Sequence, residues 1–423
     1  MLTRLFRRAF GGGADPDGDD RDPAAGSPAP APPPIARPGD AFTPTRPQRS
    51  ARRFVGRRAE FDRIRQALEE DRAHVIIYGE RGRGKTSLAN LVVEAMRASG
   101  HMVARHTCGT GSDFDSIMRG LARDLPRQFL AVPAGVANAG EGAEAALPGG
   151  LLSPRDVASL PARLAGQHLV LVLDEFDCVA DGQARVRLAE AMKQASDRGS
   201  PLSVVLVGVA ASPEELLGGH PLVRRNLVRV PLPLLSDEEI EEIVGAGAED
   251  CGIGFPPAAR MVIVRIARGV PHVAHLLGLR VAQAVVARGA AQVARADLLA
   301  AVERLITETD AATTGQYEAL TARGQDAGAV MLLQRIAAAP QDRFGRFAVQ
   351  PSPGAAPEDS RMLVGGVEMA AAAWKRMVAA DAFRPSGDGV VFANPELQTY
   401  LLLQAASRLA TSRRIGSGSG TLR

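Results

Sequence analysis

From residue 54 the chain alternates between two hydrophobic patterns. Short apolar runs rich in Val, Ile and Leu, each bounded by Gly, Pro or charge, occur at "HVIIYG" (74–79), "MVARHTC" (102–108), "HLVLVLDEF" (168–176), "LSVVLVGVA" (202–210) and "LVRVPLPL" (227–234). Runs of this length and composition predict strands. Between most of them lie stretches patterned for helices, near 85–98, 114–125 and 183–197. Strands that alternate with helices predict an α/β parallel sheet covered on both faces. The stretch 131–150 is Gly-rich and made of small residues, which fits a surface insertion better than core.

Beyond residue 235 the strand pattern fades. Ser236 with Glu239 three residues later forms a capping box, and helical stretches follow near 256–268, 271–288 and 295–309. Residues 236–310 therefore read as a small helical domain. Residues 311–408 are mixed: helices near 316–338 and 366–381, two short strands in "AFRPSGDGVVFAN" (382–394), and a last helix in "PELQTYLLLQAASRLA". Helices followed by a hairpin predict a winged-helix-like domain. Residues 1–50, rich in Pro, Gly, Ala and Asp without period, read as a disordered tether, and 409–423 as a disordered tail.

Composition narrows the class. At 423 residues the chain has room for two or three cored domains, and 46% hydrophobic content fits a globular protein. A formal net charge of +3 is weak support for nucleic-acid binding. Cys108, Cys178 and Cys251 stand singly, so neither a disulfide framework nor a zinc site is indicated; they read as buried free thiols in a reducing cytoplasm. No apolar run is long enough to span a bilayer. "MLTRLFRRAFGGG" lacks the apolar core of a secretory signal. Leu2, Leu5, Phe6 and Phe10 would share one face of a short basic helix, though a frayed terminus explains them as well.

The charge that matters is a lysine. The chain holds three lysines, Lys85, Lys193 and Lys375, against 47 arginines, and one of the three sits in "YGERGRGKTSL" (78–88). Gly79, Gly84, Lys85 and Thr86 fit G-x-x-x-x-G-K-[ST], the phosphate-binding loop, between a predicted strand and a predicted helix. Gly79, Gly82 and Gly84 free the backbone to turn its N–H groups inward at phosphate oxygens. Glu80, Arg81, Arg83 and Ser87 complete this cradle, and the helix beginning at Lys85 adds its positive end. Thr86 offers a hydroxyl to Mg²⁺. Lys85 has to fit between terminal phosphates, where a compact point charge works and a planar fork does not. Asp174 and Glu175 close the apolar run "LVLVLDEF", a Walker B arrangement: Asp174 to hold Mg²⁺ through water, Glu175 to orient and deprotonate an attacking water.

With "FVGRRAEFDRI" (54–64), "LVLDEFD", "VRRNLVRVPLPLLSDEEI" and "RGVPHVAHLL" added, residues 52–290 resemble an AAA+/STAND-type P-loop ATPase, and more narrowly the prokaryotic relatives of the origin-recognition ATPases. The resemblance implies ATP and Mg²⁺ as ligands, held between the core of residues 51–235 and the 236–310 lid. It implies that Val55, Gly56 and Arg57 lie against adenine, with Pro271 near it. It implies a γ-phosphate sensor near the end of the fourth strand, where Ala210 and Ala211 leave Ser212 as the candidate. Arg224 or Arg225 would be an arginine finger reaching a neighbouring subunit, with solvated surface as the alternative, and His272 could donate to the γ-phosphate when protonated, though a helix-start histidine without that role is the stronger reading. The second sensor position, Gly269-Val270-Pro271-His272, departs from the arginine of origin-recognition relatives, which fits slow hydrolysis and a switch more than a motor.

Residues 314–410 hold nine basic and nine acidic residues, so the domain offers little attraction for phosphate backbones. The sequence thus reads as a cytoplasmic regulatory ATPase acting on protein partners, with homo-oligomerisation open. A DNA-associated ATPase and a non-hydrolysing nucleotide-binding scaffold are the alternatives.

Overall fold

Five parallel strands form the centre of the first of two units. They are β1 (His74–Tyr78), β2 (Met102–Thr107), β3 (Leu169–Asp174), β4 (Leu202–Gly208) and β5 (Leu227–Pro231), in the order β2-β3-β4-β1-β5. The computed structural model describes residues 36–44, 54–125, 142–164, 167–217, 226–352 and 361–416. It divides into Pro47–Pro233 and a second unit made of Met1–Arg46 with Leu234–Arg423.

The expected strands and helices of the first unit are present within three residues of their expected ends. β3 and β4 are buried along their whole length, which is why they read as unbroken apolar runs and not as alternating ones. One face of the sheet carries Ile64, Leu68, Leu88, Val92 and Met96 from helices Arg58–Glu69 and Lys85–Ala98. The other carries Phe114, Ile117, Leu121, Leu188 and Met192 from helices Phe114–Arg123 and Gly182–Asp197. The 131–150 stretch departs from its reading as surface. Its described end folds as a 3₁₀ turn, Gly142–Ala146, and Ala143 and Leu147 join the second core. Small residues fit a tight corner under a helix, where bulk would not.

The second unit begins with four helices, Asp237–Cys251, Pro257–Ala267, Pro271–Ala287 and Arg295–Glu308. The capping box forms: Ser236 Oγ accepts from Glu239 N at 3.1 Å, and Glu239 Oε2 from Ser236 N at 2.7 Å. Gly269 requires its glycine. Its φ is +77°, and a Cβ there would stand 2.4 Å from the Leu235 carbonyl oxygen.

Two stretches read as disordered contain ordered structure. Residues Pro38–Ala41 form a short helix, and Phe42 after it is fully buried. Its ring lies 6.0 Å from that of Phe255 and 6.4 Å from that of His275. A Cβ on Gly247 or on Gly278 would come within 2.3 Å or 2.4 Å of the ring, so the two glycines open the socket Phe42 fills. Ala36 N donates to the Asp250 carbonyl at 2.9 Å. At the other end, helix Pro395–Gly416 runs past residue 409 into the expected tail.

Helices Ala311–Leu320 and Ala327–Ala337 precede an antiparallel sheet not foreseen from sequence, β6 (Val349–Pro351), β7 (Arg361–Val364) and β8 (Val367–Ala370). Strands of three or four residues are too short to leave a period-two signature. Helix Ala371–Ala379 and the expected hairpin follow, β9 (Phe383–Ser386) paired with β10 (Gly389–Phe392). Phe383, Phe392, Phe347 and Trp374 pack together beneath the hairpin. Arg268 is partly buried and donates to the carbonyls of Ala338 and Ala339 and to Gln341 Oε1, so the four-helix segment and the C-terminal segment share a fixed seam. Burial pushes its pKa down to about 10, still charged at neutral pH.

Candidate nucleotide site

β1 ends at Tyr78 and the chain turns through Gly79, Gly82 and Gly84, with φ values of +148°, +75° and +86°. All three lie in backbone space that side chains disfavour. Gly84 is the N-cap of helix Lys85–Ala98, so the free amides of its first turn face the loop. Lys85 Nζ donates to the carbonyls of Gly79 and Glu80, both at 2.9 Å, which fixes the ammonium over the loop. Arg83 is buried and donates to the Leu232 carbonyl at 2.9 Å, so its side chain anchors the loop to the end of β5. Arg81 is exposed.

The two acids at the end of β3 are adjacent in sequence and differ in setting. Asp174 is buried, while Glu175 is exposed and held left-handed at φ +53°. A non-glycine residue in that region stores strain, a feature that gathers at functional positions. Asp174 Oδ1 lies 3.3 Å from the Thr86 hydroxyl and accepts the Glu175 amide at 3.0 Å. Among the described residues no group of three or more His, Cys, Asp or Glu is placed to hold a metal alone. The pair Thr86 and Asp174 offers two hard oxygen donors, which suits Mg²⁺, an ion that keeps several waters and completes its shell with phosphate oxygens.

Two residues near this site were not singled out from the sequence. Arg105 on β2 reaches across to Asp174, NH2 to Oδ2 at 2.6 Å, and donates through NH1 to Asn90. Asp177, two residues past Glu175, accepts the Val209 amide at the end of β4 at 2.9 Å. The third acid of "LDEFD" was the available signal for Asp177. A charged residue inside the apolar run "MVARHTC" was the signal for Arg105.

Burial pushes the Lys85 ammonium down to about 8; the carboxylate of Asp177 works against that shift and Arg83 adds to it. Because the folded value lies below the free value of 10.5, stability of the nucleotide-free protein rises as pH climbs from about 8 to 10.5. Phosphate oxygens favour the charged amine, so nucleotide binding just above pH 8 is expected to take up a proton. Titration calorimetry in buffers of different ionisation enthalpy reads this directly, and a Lys85→Ala variant should lose the effect. Burial, with Asp174 nearby, pushes the Cys108 thiol up to about 12. Among the described residues no cysteine forms a disulfide; Cys108 and Cys251 are buried and Cys178 partly so.

Of the remaining expected site residues, Arg57 is buried and donates to the Pro233 carbonyl and to Glu60 at 3.5 Å, with Val55 and Gly56 partly exposed beside it. Ser212 is partly exposed just beyond β4. Pro271 and His272 belong to the second unit and start helix Pro271–Ala287. His272 Nδ1 donates to the Pro44 carbonyl at 3.0 Å, so a bond to phosphate through Nε2 would require the doubly protonated ring. His275 is held at about 4 by burial and the neighbouring His272, and it packs against Phe42 as a core residue. Arg224 and Arg225 lie outside the described residues.

A parallel sheet in this order, with a glycine loop after β1 and an acid pair at the end of the adjacent-but-one strand β3, defines a P-loop ATPase fold. Residues 53–207 match the family described as AAA ATPase domain. No curated protein matches the sequence. Among solved structures, the Walker-type ATPase of Pyrococcus abyssi superposes with a TM-score of 0.53 at 15% identity, covering 85% of this chain and 99% of that one. The Aeropyrum pernix ORC2 protein gives 0.49 at 16%, covering 89% and 98%. A Thermotoga maritima RuvB gives 0.45 at 17%, covering 82% and 96%. At these identities the likeness to the first is one of fold, and nothing further is drawn from the other two.

Proposed function

We propose that the chain is a slow, Mg²⁺-dependent ATPase whose nucleotide state governs its shape or self-association and thereby its protein partners. The observation that carries this reading is the meeting of Thr86 and Asp174 at 3.3 Å, beside a glycine loop that pins Lys85 and next to a strained, exposed Glu175. Magnesium held by Thr86, and by Asp174 through water, would offset charge on the phosphates. The loop amides and Lys85 bind and orient the phosphate chain. Glu175, left in solvent contact by its left-handed backbone, accepts the proton of the attacking water. Arg224 or Arg225 completes the site from a neighbouring copy, and Val55, Gly56 and Arg57 flank the base.

The winged-helix-like segment, 311–408, serves as a protein-contact module in this reading. Its balanced charge offers no phosphate footprint, and Lys375 with Arg376 is a small exposed pair. Among the described residues no helix is long and apolar enough to cross a membrane. Hydrogen exchange in the presence of ADP and of a non-hydrolysable ATP analogue tests the switch. The expected result is a difference in protection at the second unit's helices between the two ligands. Identical protection in both, with both bound, would overturn the switch.

A further inference from the structure

Arg105, on β2, reaches the acid on which the metal reading depends. Its side chain is 28% exposed, that of Asp174 only 4%, and NH2 stands 2.6 Å from Oδ2. The two carboxylate oxygens are thereby divided. Oδ1 faces Thr86 and the Glu175 amide, while Oδ2 belongs to Arg105. The guanidinium is itself steered by Asn90 from helix Lys85–Ala98, one turn beyond Thr86. Its Nε is buried with no partner among the described residues, so the side chain holds this place at some cost.

Two consequences follow from the geometry. A charge-assisted bond from NH2 to Oδ2, with the same guanidinium tied through NH1 to Asn90, resists rotation of the carboxylate and keeps Oδ1 aimed at the Thr86 hydroxyl. A fixed positive charge against a buried acid also cancels much of its pull on a second cation, because low-dielectric surroundings screen neither.

We propose that Arg105 is a positioning residue that both aims Asp174 and acts as its resident counter-charge, so that a divalent ion is held well only together with nucleotide phosphate. This rests on the nucleotide reading given above. The same charge contributes to the field that draws phosphate when no metal is present. Removing it has opposite effects on the two ligands, a pattern that simple loss of structure does not produce.

The test measures three quantities on the full chain, with thermal melts to establish folding. They are Mn²⁺ affinity without nucleotide, read from the free-ion electron paramagnetic resonance signal, and affinity for a fluorescent ATP analogue in EDTA and in Mg²⁺. Arg105→Gln is expected to tighten Mn²⁺ alone by about tenfold and to weaken the analogue in EDTA several-fold. Arg105→Lys, which restores the charge without the fork, is expected to return Mn²⁺ binding to the wild-type level. Mn²⁺ affinity that is unchanged or weaker in Arg105→Gln would overturn the proposal. Should that variant not fold, a tightened Mn²⁺ affinity in Arg105→Lys would overturn it equally. A wild-type chain that binds the analogue in neither condition would instead sink the nucleotide reading itself.

Discussion

Lys85→Arg, which keeps the charge, is expected to lower ATP turnover by about 10²–10³-fold while leaving the melting temperature nearly unchanged. Lys85 Nζ sits between two loop carbonyls at 2.9 Å, on a largely buried stem. A guanidinium is wider, planar and unable to turn three donors within one small volume. It would have to leave the loop or push the loop open. In a chain with 47 arginines and three lysines, arginine is the residue that ordinarily supplies positive charge. Its exclusion from this position is what the loop geometry demands. Steady-state turnover with a melting curve checks the expectation; an active arginine variant would mean the amine does not contact the phosphates.

Phe42→Ala is the second large effect, and it falls on stability. A fully buried ring in a socket lined by two glycines cannot be replaced by backbone collapse, because helices Asp237–Cys251 and Pro271–Ala287 carry no side chains at 247 and 278 to fill the space. Truncating such a ring typically costs about 3–5 kcal/mol, and the second unit should show it in denaturant unfolding. Phe42→Leu, which retains most of the volume, should lose about half of that. An unchanged unfolding midpoint for Phe42→Ala would mean the 36–44 segment does not dock in solution.

The contrast between these two residues shows what the chain discloses by itself. Lys85 was legible because the P-loop is a local pattern: fixed spacing, glycines where positive φ is required, a strand before and a helix after. The five core strands were legible for a related reason, since full burial on both faces writes an apolar run. Phe42 was not legible. It is one aromatic in a stretch of Pro, Gly and Asp, and the partners that bury it are glycines more than 200 residues away. Arg105 was hidden differently. Its chemistry depends on the register that sets β2 beside β3, with Thr107 opposite Asp174, and register is not written in either strand alone. β6 to β8 escaped because three- and four-residue strands carry too few positions to show alternation.

The other proposed roles depend on hydrolysis of ATP by this chain with Glu175 as the base. Phosphate release per protomer, measured in Mg²⁺ across a range of protein concentrations with Glu175→Gln as the reference, tests it most directly. The expected result is slow turnover in the wild type, lost by about 10²-fold or more in the variant, and a per-protomer rate that climbs with concentration if Arg224 or Arg225 acts between copies. Wild-type turnover no higher than that of Glu175→Gln would contradict it, and would leave the chain a nucleotide-binding scaffold.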